Sequence, residues 1–396
     1  MRKLNIYYHK DIYGRKDATS KFITGLADSA SKYFDVCIFC YAEVGEQTSQ
    51  VSSNYRLYRT PRPRVPLLSK MMNSPIAGRV YEVISVFNPS FYLNSLREAD
   101  AEILLSVDSY SGFLVCILGR LRHRMFVLRS SDLLLSFGRQ LALGGSYFLG
   151  MLVVVYSMLI EFPLCKLSSV IMVPSPNVRR MMTMYYGIEG KYCPGYYGYN
   201  AGDSSELPNQ AEARRNLGLD PTRYTLLFLG SGDWLPNRMA IRYLLTVLAP
   251  ALSERLPDAL VLIVGQSTER YASDIITENV RIMGQVPDLA PFLAAADLGI
   301  APLTIVGGLP GKIVDYLCSG LPALVSVEAS KTVEAQAGLY MASMEEFANA
   351  IIRLRHVVGA ISRDAIKEQA LKTYSFESLA RDLASNINNR IGERDS

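Results

Sequence analysis

Residues 305–327, I-V-G-G-L-P-G-K-I-V-D-Y-L-C-S-G-L-P-A-L-V-S-V, decide the fold of this 396-residue chain. Pro310 sits where a first helical turn tolerates a missing N–H, while Gly320 followed by Pro322 supplies a left-handed cap and a stop. A short helix runs between them. Ile313 and Leu317, four apart, share one face and pack inward, and Lys312 and Asp315, three apart, share another that can meet a ligand. The apolar runs 297–303 and 323–327 on either side read as buried parallel strands. The unit is strand, glycine loop, helix, strand. In open α/β sheets such a loop lies at the carboxyl ends of the strands, where ligands bind, and the N–H groups at the helix start suit a phosphate.

These residues resemble the nucleotide-sugar-binding signature of the GT-B glycosyltransferases, especially the retaining enzymes of family 4. The resemblance implies that Asp315 holds the donor ribose, and that Gly307, Gly308, Leu309 and Lys312 border the diphosphate. The usual pattern has two glutamates with seven residues between them. Gly307 stands at the first of these places and Asp315 at the second. One branch of the family reads Gly-Gly-x-x-x-Lys ahead of the acidic residue, as Gly307, Gly308 and Lys312 do here. The plain alternative is an ordinary βαβ unit with a capped helix.

A second signature lies some eighty residues upstream. The run 225–230, T-L-L-F-L-G, is a strand ending in a glycine turn, followed by S-G-D-W-L-P-N over 231–237 and an amphipathic helix reaching Leu252. It resembles the opening of the donor domain in the same branch and places Gly230 and Gly232 near the phosphates. Many family members carry an arginine just after the first glycine and a lysine a few residues later; Ser231 and Asn237 stand near those positions. Arg238 and Lys312 are the cations left to stabilise the departing diphosphate. The alternation continues through 259–265, 280–284 and 290–296, placing Gly265 and the turn at Gln285 and Val286 near the nucleotide base. Leu379, Leu383 and Ile387 share one face of a last helix, which resembles the terminal helix that crosses back to the first domain.

Charge is unevenly placed. Residues 1–200 hold 23 Lys and Arg against 14 Asp and Glu, net +9, and the remainder holds 18 against 23, net −5. Basic surface attracts phosphates or anionic membranes, though a solvated surface explains it equally. Six cysteines without an even framework argue for reduced thiols in the cytoplasm. Cys37 and Cys40 lie in a strand-like run, where positions i and i+3 face opposite ways, so a redox or metal pair is not expected. The three histidines, His9, His123 and His356, are too scattered for a metal cluster.

The run Leu4 to Tyr8 ends at His9, Lys10 and Asp11, too short for a signal peptide, and reads as the first strand. A helix follows, with Phe22, Ile23, Leu26, Ala30 and Tyr33 at helical spacing, then a strand from Asp35 to Tyr41. Residues 43–97, with an arginine-rich segment from Arg59 to Arg64, support no chemical reading. Alternation resumes at 103–107, 112–120 and 125–128, ending in Arg129-Ser-Ser-Asp132. Many family members carry a histidine in this last loop to position the donor sugar or acceptor. Asp132 with Ser130 is the candidate in its place, although an aspartate there also caps a helix.

The most apolar stretch is 147–160, Y-F-L-G-M-L-V-V-V-Y-S-M-L-I, ended by Glu161 and Pro163. At 14 residues it falls short of the roughly 20 needed to span a membrane, and burial in the core is favoured over an interfacial position. The polar run 202–210 is the expected linker.

The expected architecture is α/β, GT-B: an acceptor-side Rossmann-like domain over 1–200, a donor-binding one over 211–375, the two facing a cleft, and a C-terminal helix over 376–396 on the first domain. The resemblance implies sugar transfer from a nucleotide diphosphate sugar to a glycan or lipid-linked acceptor, with retention and without a metal or other cofactor. A catalytically weak sugar-nucleotide-binding partner subunit is the alternative. No nucleic-acid partner is expected, and an anionic membrane surface on the cytoplasmic side is.

Overall fold

The computed structural model describes residues 1–13, 18–42, 48–51, 53–61, 89–98, 100–130, 133–135, 138, 147–196, 198–200 and 207–395. The chain divides into two compact units, Met1–Tyr196 with Leu379–Ser396, and Tyr197–Ser378. The division falls before Tyr197, upstream of the polar run. The closing helix, Phe376–Asp395, starts in the second unit and joins the first from Leu379 onward.

The first unit is built on β1 (Arg2–Tyr8), β2 (Phe34–Ala42), β3 (Thr48–Val51), β4 (Arg56–Pro61), β5 (Ile103–Ser106), β6 (Met125–Arg129), β7 (Val170–Val173) and β8 (Tyr192–Pro194). Their order is β3-β4-β2-β1-β5-β6-β7-β8, and every pair is parallel except β3 with β4. Leu4, Ile6, Val36, Ile38, Ile103, Leu105 and Val127 are fully buried, as continuous apolar strands covered on both faces must be. Strand order reverses on either side of β1.

The stretch 147–160 departs from expectation. The helix does not stop at Glu161 and Pro163 but continues to Leu167 through a π turn over Ser157–Glu161. Nor is it core. Phe148 is 74 % exposed and Leu159 68 %, with Met151, Leu152 and Val155 exposed on the same face. The opposite face is anchored by Glu161, which accepts from Ser157 Oγ at 2.8 Å, Tyr186 Oη at 2.6 Å and the Leu134 amide at 3.3 Å. Apolar residues all round the helix conceal from periodicity which side is held.

The second unit has six parallel strands, β9 (Tyr224–Leu229), β10 (Ala259–Val264), β11 (Val280–Gly284), β12 (Leu298–Ala301), β13 (Ala323–Ser326) and β14 (Leu339–Ala342), in the order β11-β10-β9-β12-β13-β14. This is the doubly wound dinucleotide-fold order, reversing between β9 and β12. The helix Gly311–Cys318 is fixed across that reversal by Tyr316, whose hydroxyl accepts from the Leu229 amide at 2.9 Å. Its ring lies flat on Gly299, where a Cβ would come within 2.5 Å of the ring carbons. Pro310 is the N-cap of this helix, one position earlier than expected, and Gly320 takes the left-handed conformation after it, with φ 76°.

Candidate functional site

The carboxyl ends of β9, β10 and β12 converge in the second unit. Gly230 follows β9 and Gly265 follows β10. A Cβ on Gly265 would overlap the Gly230 carbonyl, and one on Gly230 would stand 2.8 Å from the Asn237 side chain and 2.9 Å from Lys312 Nζ. A side chain at 230 would have to displace that amine or the Asn237 amide. Gly232 is packed as closely: its Cβ would lie 2.5 Å from the Ser267 carbonyl.

Lys312 enters from the first turn of the helix Gly311–Cys318 and is 9 % exposed. Nζ donates to Asn237 Oδ1 at 2.9 Å and lies 3.8 Å from the centre of the Phe228 ring. Asn237 in turn donates to the Ser231 carbonyl at 3.0 Å. Burial drives the ammonium down to about 7, against an opposing pull from the Asp315 carboxylate. A second negative charge beside this amine would favour its charged form. The helix start adds its dipole, since Pro310 supplies no side-chain cap.

Around this centre, Asp315 is half-buried one turn along the helix from Lys312, Gly307 is exposed, Gly308 is half-buried and Leu309 is buried. Val286 is half-buried beyond β11. The helix Leu235–Tyr243 carries Asn237 inward and Arg238 outward, where the guanidinium is exposed. Asp132 lies outside the described residues; Ser130, at the end of β6, is buried.

Gly230, Gly232, Gly265, Lys312 and Asp315 thus gather at the strand-order reversal of one sheet. Asn237 and Phe228 were not foreseen as parts of the Lys312 pocket. Asn237 gave a signal: it precedes the buried Ala240 and Ile241 by one turn, so it is a polar residue on the core face of an amphipathic helix.

Residues 223–356 match the family model for glycosyl transferases group 1. Over the full length the structure resembles sucrose-phosphate synthase from Thermosynechococcus elongatus, at TM-score 0.72 and 15 % identity, covering 99 % of this chain and 100 % of that one. It also resembles HepE from Anabaena in complex with UDP and glucose, at TM-score 0.64 and 15 % identity, over 98 % and 100 % of the chains. The chain has the GT-B fold. A third GT-B relative in structure is WaaG, a glycosyltransferase involved in lipopolysaccharide biosynthesis, at TM-score 0.60 and 16 % identity over 96 % and 98 %. No curated protein matches the sequence. The fold by itself assigns no role to either unit; chemistry rests on the residues at the strand ends.

Proposed function

We propose that the chain is a glycosyltransferase that moves a sugar from a nucleoside diphosphate to a glycan or lipid-linked acceptor, with retention at the anomeric carbon. The buried Lys312 amine against Gly230 carries the reading. The diphosphate lies along Gly230, Gly232, Gly265 and the Gly307–Leu309 loop, and the glycines at 230, 232 and 265 let the strand ends pack closely enough to bring Lys312 beside it. Lys312 and the helix N-terminus stabilise the charge that develops on the leaving diphosphate, so that no metal is needed, and Arg238 adds a second cation. Asp315 holds the ribose hydroxyls, and Val286 borders the base. The family lysine expected near Asn237 is replaced in function by Lys312, whose amine reaches Asn237 from another helix.

UDP is the first nucleotide to test, because HepE is crystallised with it. A thermal-shift screen of nucleoside diphosphates should show one that raises the midpoint by about 2 °C or more at a hundredfold excess over its Kd, and Asp315→Ala should cut the rise to about half or less. A screen with no shift for any nucleotide contradicts the proposal. Binding without turnover of any sugar nucleotide assigns the role of a catalytically weak partner subunit.

The acceptor side is read as membrane-facing on the cytoplasmic leaflet. The exposed apolar face of the helix running to Leu167 meets a basic cluster at its end. Arg120 donates to the Leu167 carbonyl at 3.3 Å, Lys191 to the Lys166 carbonyl at 2.8 Å and Lys166 to the Gly187 carbonyl at 3.1 Å. Burial and then the charges of Arg390, Lys166 and Arg120 lower the Lys191 ammonium. Apolar insertion beside clustered cations fits an anionic bilayer surface. The window Gly150–Leu167 is long and apolar enough to cross a membrane, but Glu161 ties it to Tyr186, so the helix is read as lying on the surface. Arg59, bound to Asp11, and Arg129, fully buried, add nothing to that surface. All six cysteines are buried free thiols, which suits a reducing cytoplasm.

A further inference from the structure

The amino ends of the second unit's strands, away from Lys312, border an open cavity of about 410 Å³. Tyr224 opens β9, Asp297 precedes β12 and Pro322 precedes β13, so the cavity lies one strand length, about 20 Å for six residues, from the carboxyl ends. Four guanidinium groups line it, those of Arg214, Arg223, Arg355 and Arg363. Arg214 donates to the Asp297 carboxylate at 2.6 Å and Arg355 to that of Asp258 at 2.6 Å. Arg223 and Arg363 are placed differently. Arg223 donates to the Ala259 carbonyl at 2.7 Å, Arg363 to the Ala294 carbonyl at 3.3 Å and to that of Ala296, and among the described residues neither is in an ion pair. The neighbouring Asp220 carboxylate accepts from the Thr222 amide and hydroxyl, at 2.8 and 2.7 Å. Burial lowers the Arg363 guanidinium; the Asp297 charge opposes this and the Arg214 charge adds to it.

Tyr224 supplies an independent observation. It is 7 % exposed, and its hydroxyl is buried with no hydrogen-bond partner among the described residues. Burial and then the Asp297 charge push that hydroxyl up, so it keeps its proton and can donate. A buried hydroxyl left unpaired destabilises the fold, and phenylalanine would fill the same space without that cost. The carbonyls at the end of the helix Ala290–Ala295 explain where Arg214 and Arg363 are held. They explain neither the cavity between the guanidinium groups nor the tyrosine. Guanidinium forks match the oxygens of a phosphate, and an anion among them would offset their mutual repulsion. The volume falls within the roughly 300–1,000 Å³ of small-molecule sites, and Pro322, Val358 and Ile361 make part of the wall apolar.

We propose that this cavity binds a small phosphate monoester, its dianionic head on Arg223, Arg363 and the Tyr224 hydroxyl and its carbon skeleton against Pro322, Val358 and Ile361. The site lies within the second unit alone, at the opposite edge of the sheet from the nucleotide, and does not depend on the glycosyl-transfer reading.

Titration calorimetry on the full chain at physiological ionic strength tests this, with inorganic phosphate, glycerol 3-phosphate and ribose 5-phosphate as probes. At least one monoester should bind, about fourfold or more tighter than inorganic phosphate, the gain from burying a single methylene. Tyr224→Phe should weaken it about tenfold, the scale of one hydrogen bond to a charged group, with the melting temperature unchanged or raised. Arg223→Met should weaken it about tenfold or more. Lys312→Met, at the other end of the sheet, should leave it unchanged. No monoester bound, no preference over inorganic phosphate, or equal binding by Tyr224→Phe overturns the proposal. A monoester lost in Lys312→Met but kept in Tyr224→Phe occupies the nucleotide site, which overturns it too. Monoester binding that falls in Tyr224→Phe, in a protein that never binds UDP, sinks the nucleotide reading and leaves this one standing.

Discussion

Lowering the proton concentration should weaken nucleoside diphosphate binding through a single group, Lys312. With its ammonium at about 7 in the free protein, half the molecules are charged at pH 7, about one in eleven at pH 8 and about one in a hundred at pH 9. A diphosphate beside Nζ favours the charged form, so binding draws a proton onto the amine as pH rises. The penalty is the free energy of charging the group, and between pH 7 and pH 9 it amounts to roughly a 50-fold rise in Kd, about 2.3 kcal/mol. The diphosphate itself is fully ionised over that range, its last ionisation lying near 6. Titration calorimetry with UDP in two buffers of different ionisation enthalpy reads both quantities. Proton uptake should grow from about half a proton at pH 7 toward one at pH 9, and Lys312→Met should abolish the uptake and flatten the profile. A pH-independent Kd in the wild type, or an unchanged slope in Lys312→Met, refutes a diphosphate contact by this amine.

The same shift has a consequence for the free protein. Its folded-state pKa lies below the unfolded value, so the unfolded chain binds more protons between about pH 7 and pH 10 and stability from this group rises with pH across that window; Lys312→Met should therefore raise the melting temperature at pH 7, as measured by calorimetry. Asp315→Ala should weaken UDP binding by about 1.5–3 kcal/mol with the fold intact, and unchanged affinity would remove Asp315 from the ribose. Gly230→Ala drives a methyl group into Asn237 and Lys312 Nζ, and should lose UDP binding at least tenfold while costing about 1–3 kcal/mol in chemical denaturation. Co-sedimentation with anionic vesicles should be strong at low salt, fall toward physiological salt and be lost in a Phe148→Glu, Leu159→Glu double variant; protein that stays in the supernatant at low salt contradicts membrane docking.

The second unit was legible because its signals are local. Strands buried on both faces read as unbroken apolar runs, and Pro310, Gly320 and Pro322 punctuate the central helix within a dozen residues. Lys312 and Asp315 could be named from spacing alone. What spacing could not supply was distance across the sheet: that Lys312 would lie against Gly230 and Asn237, or that Gly265 would press on Gly230. β3 and β4 were missed because T-S-Q-V and R-L-Y-R-T-P carry neither a strong alternation nor a continuous apolar run. The helix from Tyr147 was misjudged for the opposite reason. It is apolar on every face, so composition suggested burial, and the side held by the protein is identified only by Glu161 and its partners. That His9 would meet Asp108 likewise follows only from β1 lying beside β5, which no local pattern supplies.

The proposed function requires a nucleoside diphosphate at the strand-order reversal of the second unit, with Lys312 on its phosphates. A crystal structure of the full chain with UDP tests this most directly. Phosphate oxygens are expected within about 3 Å of Lys312 Nζ and of backbone amides at the start of the helix Gly311–Cys318, with both ribose hydroxyls on Asp315. UDP bound elsewhere, or bound here with its ribose at Lys312 and its phosphates in solvent, would contradict it.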